Sequence, residues 1–462
     1  MNACCNSESL KNIDTSFSTP TLERILTEDL GLSPGTPLKV AYSGGLDSHV
    51  LLHALCQLRL RVSWKIKAIH VDHGLQPQSP QWARHCRRIC EALNVPCVVE
   101  QVRVQRHKDS LEAAARRARY ESLARHVSAD EVLLTAHHQD DQAETVLLQL
   151  LRGGGVHGLA AMPKITGFSQ GRLARPLLGF TRQALAAYAT REQLTWIEDD
   201  SNRDMRFARN YLRYRVFPII FDRWPEASRQ LARSARNTAQ AAAVLDEIAH
   251  LDLKACRIET KPMLRIAALL RLSSARQRNL IRFWVREQGL GVPSETQLRR
   301  ILGQLRQLPR TGQSIIRWPG AVLRRYRDKL AVMPVQADRD RNWSRAWDPS
   351  APLEIPGTGA RLRTVATVGA GLSRERLNGR SVVVRLRQGG ETCRLPGRSH
   401  RHKLKKMLQE AGIPPWEREQ MPLIYVEGEL AAVGDRWVCE PYAAKLEEPG
   451  LVLVLDRSEL EQ

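Results

Sequence analysis

Six consecutive residues, Ser43-Gly44-Gly45-Leu46-Asp47-Ser48, combine adjacent glycines with three oxygen-bearing side chains. Adjacent glycines let the backbone take positive φ and approach a ligand closely, and the serine hydroxyls add hydrogen-bond donors. Such a turn, followed by a helix start, aims several N–H groups at one point and suits an anion such as pyrophosphate. Asp47 is ill placed among these donors if it faces phosphate alone. It reads better as a ligand to a magnesium ion held between its carboxylate and phosphate oxygens. A plain glycine turn capped by Ser or Asp is the bland alternative. The full six-residue run is more specific than that, and it is not G-x-x-x-x-G-K-[ST], because no lysine follows.

A second cluster runs from Thr135 through His137, His138, Asp140, Asp141 and Glu144 to Thr145. On a helix Asp141 and Glu144 share a face, and Asp140 stands one turn from Glu144. Acidic residues at a helix start also suit its dipole. Capping accounts for one or two of the three carboxylates. Together with two histidines in a basic protein they read as a pocket for a cation, either an ammonium or a metal ion. No second His/Asp cluster at ligand spacing accompanies them, and His85, Cys86 and Cys90 form only a weak metal pattern.

The elements that must hold these clusters follow from periodicity. Leu38 and Val40 form an apolar run entering the glycine turn, and Val50, Leu51, Leu52, Ala54, Leu55 and Leu58 form a helix leaving it. A second buried strand ends at His70-Val71-Asp72-His73-Gly74, and strands near 97–101 and 131–136 alternate with helices near 81–93, 110–126 and 140–151. This alternation predicts an α/β domain with a parallel sheet covered on both faces. All the polar clusters then fall at carboxyl ends of strands, where such folds bind ligands. Beyond Pro218–Pro225 the pattern becomes mainly helical, then turns to short strands, and a small α+β unit follows from Val382. The resulting division is a disordered extension over 1–20, a catalytic domain over 21–222, a helical domain over 223–334, a connecting region over 335–380 and a C-terminal domain over 381–462.

The chain of 462 residues carries 70 Lys and Arg against 49 Asp and Glu, a net charge of +21, which implies a polyanionic partner. Arg398, Arg401, Lys403, Lys405 and Lys406, with Trp416 and Tyr425 downstream, suit a phosphate-backbone surface. Nine scattered cysteines without a dense framework fit reduced thiols in the cytoplasm. No apolar run approaches the ~18 residues of a membrane span, so no membrane association is expected.

S-G-G-L-D-S resembles the loop of ATP enzymes that cleave between the α- and β-phosphates. Taken in order with H-V-D-H-G-L, A-R-R-A-R-Y, A-H-H-Q-D-D-Q-A-E-T, L-L-R-G-G-G-V-H-G-L, A-R-N-Y-L-R and the terminal L-K-K-M-L-Q-E-A-G-I-P-P-W-E-R, the chain resembles the tRNA(Ile)-lysidine synthase family. That resemblance implies an adenine nucleotide α-hydrolase-like fold, ATP and magnesium, and lysine and CAU-anticodon isoleucine tRNA as partners. It implies a reaction in which the wobble cytidine is adenylated and lysine then displaces AMP, so that decoding switches from AUG to AUA. On matching positions it implies ATP binding by Ser43, Gly44, Gly45, Leu46, Asp47, Ser48, His70 and Val71. It likewise implies lysine recognition by Asp141 and Glu144 with Arg116 opposite, and a phosphate-facing, catalytic Arg209 beside Asp47. Asp72 and Asp200 depart from residues common in the family. The rivals are a tRNA thiolase on the same loop, although no C-x-x-C is present, and a non-catalytic RNA-binding protein. A homodimer stays open.

Overall fold

The structure is a computed structural model describing residues 16–457 apart from 60, 75, 105–110, 199–203, 259–260, 308–312, 336–339, 341 and 398–399. Two compact units, Met1–Leu245 and Asp246–Gln462, divide within the helix Ala227–Cys256.

In the first unit, strand β1 (Pro37–Ala41) lies between β2 (Lys65–Asp72) and β4 (Val132–Leu134), parallel to both. With β3 (Cys97–Gln101), the antiparallel edge strand β5 (Ile165–Phe168) and β6 (Gly171–Ala174), the sheet order is β3-β2-β1-β4-β6-β5. The chain builds β2 and β3 on one side of β1 and returns for β4 on the other. Loops leaving β1 and β4 therefore diverge, and a crevice opens at their carboxyl ends. Both polar clusters of the sequence lie at that crevice.

Helix α1 (Thr19–Arg24) starts the folded chain, and α2 (Leu46–Arg59), α3 (Ser79–Ala92), α4 (Leu111–Ala124) and α5 (Gln139–Leu151) follow. In α2 the side chains of Val50, Leu51, Leu52, Leu55 and Leu58 are fully buried. Each such side chain contributes roughly 1.5–3 kcal/mol of burial before entropy is counted. The helix that carries the glycine turn is thus buried nearly all round, which explains why its sequence shows no clean polar face. Ahead of it, Phe17 packs edge-on against Phe180 and Tyr188, with ring centroids at 5.1 and 4.9 Å, so the folded domain begins before residue 21. Residues 1–15 of the expected extension lie outside the described residues.

The second unit opens with a five-stranded antiparallel sheet, ordered Arg257–Ile258, Lys261–Arg265, Lys329–Met333, Ala321–Tyr326, Gln313–Trp318. Helices Ser274–Glu287 and Glu295–Gln307 cover it through Leu280, Ile281, Trp284, Leu298 and Ile301. Trp284 is therefore core. The stretch 335–380, read as a connection, instead supplies strands. Ala360–Val368 pairs along its whole length with Pro449–Arg457, and Ser344–Ala346 joins Val382–Leu386. Its alternating A-R-L-R-T-V-A-T-V pattern is strand-like, and the glycines around it obscure the signal. The expectation of reduced thiols throughout is corrected at one place, since Cys393 and Cys439 form a disulfide. Folding brings their Cα atoms to 5.8 Å across 46 residues of sequence, a proximity that spacing alone does not reveal. Among the described residues no helix is long and apolar enough to cross a membrane.

Candidate active site

The turn after β1 is closed from within. Ser48 Oγ accepts from the Ser43 N–H at 3.2 Å and donates to the Gly45 carbonyl at 3.0 Å. Gly44 has φ +83°, and a Cβ there would sit 2.9 Å from both Cys86 Sγ and Ile197 Cδ1. The Ile197 N–H donates to the Gly44 carbonyl at 3.0 Å, so the chain after β6 clamps the turn from behind. Only glycine meets both the dihedral and the space. The first N–H groups of α2 have no acceptor within the helix and face the crevice.

At the end of β4 the chain enters α5 through a capping box. The His138 N–H donates to Asp141 Oδ2 at 3.1 Å, and the Asp141 N–H donates to His138 Nδ1 at 3.4 Å. Because Nδ1 accepts, the neutral ring carries its proton on Nε2. That nitrogen lies 3.4 Å from Asp141 Oδ2 and 3.7 Å from Asp47 Oδ2, so one imidazole links the glycine turn to the acidic helix. Asp140 accepts from the Arg182 N–H at 2.9 Å. Capping thus engages Asp141 and Asp140, and Glu144 is the acid it leaves over.

Glu144 is not idle. Arg213 Nε donates to its Oε1 at 2.7 Å and Arg213 Nη2 to its Oε2 at 3.1 Å, while the same Nη2 reaches Asp141 Oδ1 at 3.1 Å. Arg209 Nε stands 3.2 Å from Glu144 Oε2, and its Nη2 donates to Thr145 Oγ1 at 2.8 Å. Both arginines come from the short helix Ala208–Tyr211 and the π-helical turn Leu212–Val216 that continues it.

Between the two motifs lies a cavity of about 340 Å³, lined by Ser43, Gly45, Asp47 and Ser48 on one side and by His137, Arg119, Arg182 and Arg213 on others. The guanidinium groups and turn N–H groups suit a polyphosphate. Burial pushes the Asp47 carboxyl above its ordinary range, Asp141 adds to this, and His138, Arg182 and Arg213 oppose it. Asp47 Oδ1 is buried with no hydrogen-bond partner among the described residues. An oxygen left over in that way fits a cation bound beside phosphate. Asp141 is also pushed up by burial, but His138, His137, Arg209 and Arg213 outweigh this and hold it below its ordinary value. Burial drives His137 down to about 3, so it lines the cavity as a neutral ring.

Other residues singled out by the sequence fall in various places. His70 is buried, with Nδ1 3.0 Å from the Tyr42 carbonyl and 3.4 Å from Cys86 Sγ. Val71 is partly buried and packs against the core cluster that includes Ala41, Ile69 and Leu123. Arg116 is exposed and stacks 4.9 Å from the Tyr120 ring centroid, whereas Arg119, one turn further on, lines the cavity. Arg209 is turned onto Glu144, and Arg213 is the member of that pair that lines the cavity. No individual role is assigned from sequence to Arg213, Arg182 or Arg119, and His138 enters only as one of the two histidines of the cation pocket. The available signal for Arg213 was its place four residues after Arg209 on a helical turn. Asp200 lies outside the described residues, as does Arg398.

In the second unit Lys405 and Lys406 project from the helix Leu404–Glu410, which buries Leu404, Met407 and Leu408, and Lys403 is exposed just before it. Arg401 is exposed, 3.5 Å from Glu429, and Lys406 lies 3.9 Å from Glu410. The aromatic part of the expectation is corrected. Trp416 is buried beside Tyr326 in the preceding sheet, and Tyr425 is buried with Arg385 at 3.6 Å from its ring centroid. The Trp416 ring is consumed by packing, and the Tyr425 ring is already stacked on by Arg385.

Family models agree with this layout. A PP-loop domain matches residues 18–220, a TilS substrate binding domain 264–331 and a TilS substrate C-terminal domain 382–455. The tRNA(Ile)-lysidine synthase of Methylococcus capsulatus is 41% identical over 92% of this chain and 97% of its own length. The chain belongs to the tRNA(Ile)-lysidine synthase family. Members of that family from Coxiella burnetii, at 40% identity over 93% of this chain and 95% of theirs, and from Alkalilimnicola ehrlichii, at 42% over 92% and 94%, are similar along the same span. Membership makes the chain an ATP-using, tRNA-modifying ligase.

Proposed function

We infer that this enzyme ligates L-lysine to the 2-carbonyl carbon of the wobble cytidine in CAU-anticodon isoleucine tRNA, forming lysidine. In the first step the cytidine 2-oxygen attacks the α-phosphorus of ATP and pyrophosphate leaves. In the second the neutral ε-amine of lysine attacks C2 and AMP leaves, a proton being lost from nitrogen. Adenylation makes a poor leaving oxygen a good one. The observation that carries this reading is the join made by His138, which places a buried acid pair within one side chain of the phosphate turn.

Ser43, Gly44, Gly45, Leu46 and Ser48 are proposed to cradle the triphosphate, with His70 and Val71 shaping the adenine side behind β2. Asp47, through its unpartnered Oδ1, would hold a magnesium ion, which when bound neutralises phosphate charge. Asp141 and Glu144 are assigned to the lysine ammonium, with Arg116 nearby on α4, and Arg209 to phosphate. Residues 21–222 form the catalytic domain in this reading, and the domains over 223–334 and 381–462 grip the tRNA. Arg401, Lys403, Lys405 and Lys406 are proposed contacts to its backbone.

The test is incorporation of radiolabelled lysine into CAU isoleucine tRNA by the purified protein with ATP, alongside pyrophosphate release. Lysine entering the tRNA one-for-one with pyrophosphate is expected. Sulfur incorporation, or tRNA binding without ATP use, would move the assignment to the thiolase or to the binding protein.

A further inference from the structure

The acids assigned to lysine already hold cations of the chain itself. Glu144 and Asp141 face the guanidinium groups of Arg213 and Arg209, so their two negative charges are matched by two positive ones. A lysine ammonium entering this arrangement finds no unmatched carboxylate. Glu144 is only 3% exposed, and an ionised acid at that depth is unfavourable without a partner. One guanidinium must leave as lysine arrives.

The geometry points to Arg213 as the one that leaves. Arg209 is held on its far side by Thr145 and is not among the residues lining the phosphate cavity, whereas Arg213 is. Its backbone is anchored by buried Leu212 next to it, which confines any switch to the side chain. Charge accounts for the direction. A triphosphate in the cavity brings an anionic alternative to Glu144 within the same residue's surroundings, and a planar guanidinium suits either partner in a two-point contact.

We propose that Arg213 occupies the seat of the lysine ammonium in the nucleotide-free enzyme and turns to the phosphates of ATP on binding, so that lysine is admitted only to the nucleotide-loaded enzyme. This rests on the assignment of Asp141 and Glu144 to lysine. Both sites are charge-balanced once both ligands are bound: the ammonium replaces a guanidinium at the acids, and the displaced guanidinium meets phosphate, while the nucleotide-loaded enzyme without lysine is left with an acid pair short of one cation. The two ligands are thereby coupled through one side chain with two discrete positions.

The test uses the full-length enzyme with CAU isoleucine tRNA present, and equilibrium dialysis of radiolabelled L-lysine with and without an ATP analogue bridged by methylene between the α- and β-phosphorus. For the unaltered enzyme the analogue should tighten lysine binding by about tenfold or more. In Arg213→Met nucleotide-free lysine binding should improve, and the dependence on the analogue should shrink to about twofold or less. A merely structural arginine would weaken lysine binding when lost. Arg213→Lys, which keeps the charge, should retain part of the dependence. An unaltered enzyme whose lysine affinity ignores the analogue, or one that binds no lysine under either condition, overturns the proposal without recourse to any variant. So does an Arg213→Met enzyme with the full dependence. Glu144→Gln separates the two layers: unchanged lysine binding in that variant sinks the acid-pair assignment itself, whatever Arg213 does.

Discussion

The charges of the crevice and the charges of the C-terminal helix solve different problems. Around α5, Asp47, Asp141, Glu144, Arg209 and Arg213 are largely withdrawn from water, and the acids of α5 meet arginines brought in by the distant turn 208–216. On the helix Leu404–Glu410, Lys405 and Lys406 stand in solvent above a small apolar footing. Buried charges depend on geometry and fail together when one partner is removed. Exposed charges act through a screened field and can be removed singly with little effect on the fold. In the proposed reading the first arrangement takes a small cation and a reacting phosphate, and the second meets a long polyanion.

That contrast can be broken in four places. Asp47→Ala should lower pyrophosphate release by about a thousandfold or more while tRNA binding in a filter assay changes by less than about twofold. Comparable turnover would remove Asp47 from the chemistry. Glu144→Gln leaves two arginines facing an uncharged amide. It should lower stability in urea unfolding by about 3 kcal/mol and weaken lysine use as well, whereas an unfolding midpoint equal to that of the unaltered protein would make the network cosmetic.

The third is a pH effect. Asp47 has its carboxyl raised by burial, and only the ionised form binds a cation. Pyrophosphate release should therefore fall as pH drops through a value above the usual carboxylate pKa of about 3.9. The same shift means that the folded state binds the proton more tightly than the unfolded chain. This group's contribution to stability is accordingly full below the unfolded value and is lost as pH rises through the folded one. An acid limb at the ordinary carboxylate value would contradict it. The smallest effect is expected from Lys405→Ala with Lys406→Ala, which should flatten the log–log salt dependence of tRNA binding by roughly 1.5–2 and shift stability by less than about 0.5 kcal/mol. An unchanged slope would take this helix off the phosphate backbone.

Much of the site was legible because its signals are local. Strand, glycine turn and helix occur within one continuous stretch from Leu38 to Leu58, and the capping residues His138 and Asp141 are three apart. What escaped the sequence is what depends on distant partners. Arg213 meets Glu144 across 69 residues, and nothing in either neighbourhood announces the other. The same holds for Trp416, whose ring is covered by Tyr326, 90 residues upstream by number and in another sheet. An aromatic beside a run of lysines looks available until the element that covers it is known. The strands of 344–373 were missed for a different reason. They are short, broken by glycine and proline, and paired with segments such as Pro449–Arg457 far along the chain.

The position of β1 between two parallel neighbours has a consequence that is measured in time. Its residues from Leu38 to Val40 are paired with strands on both sides, and the side chains of Leu38 and Val40 are fully buried. Amides in such a strand exchange with solvent only through the largest opening of the unit, whereas those of an edge strand such as β5 are released by smaller ones. Deuterium should therefore enter β5 well before β1. The turn that follows β1 would then keep its shape through every partial opening, for as long as the unit itself stays folded.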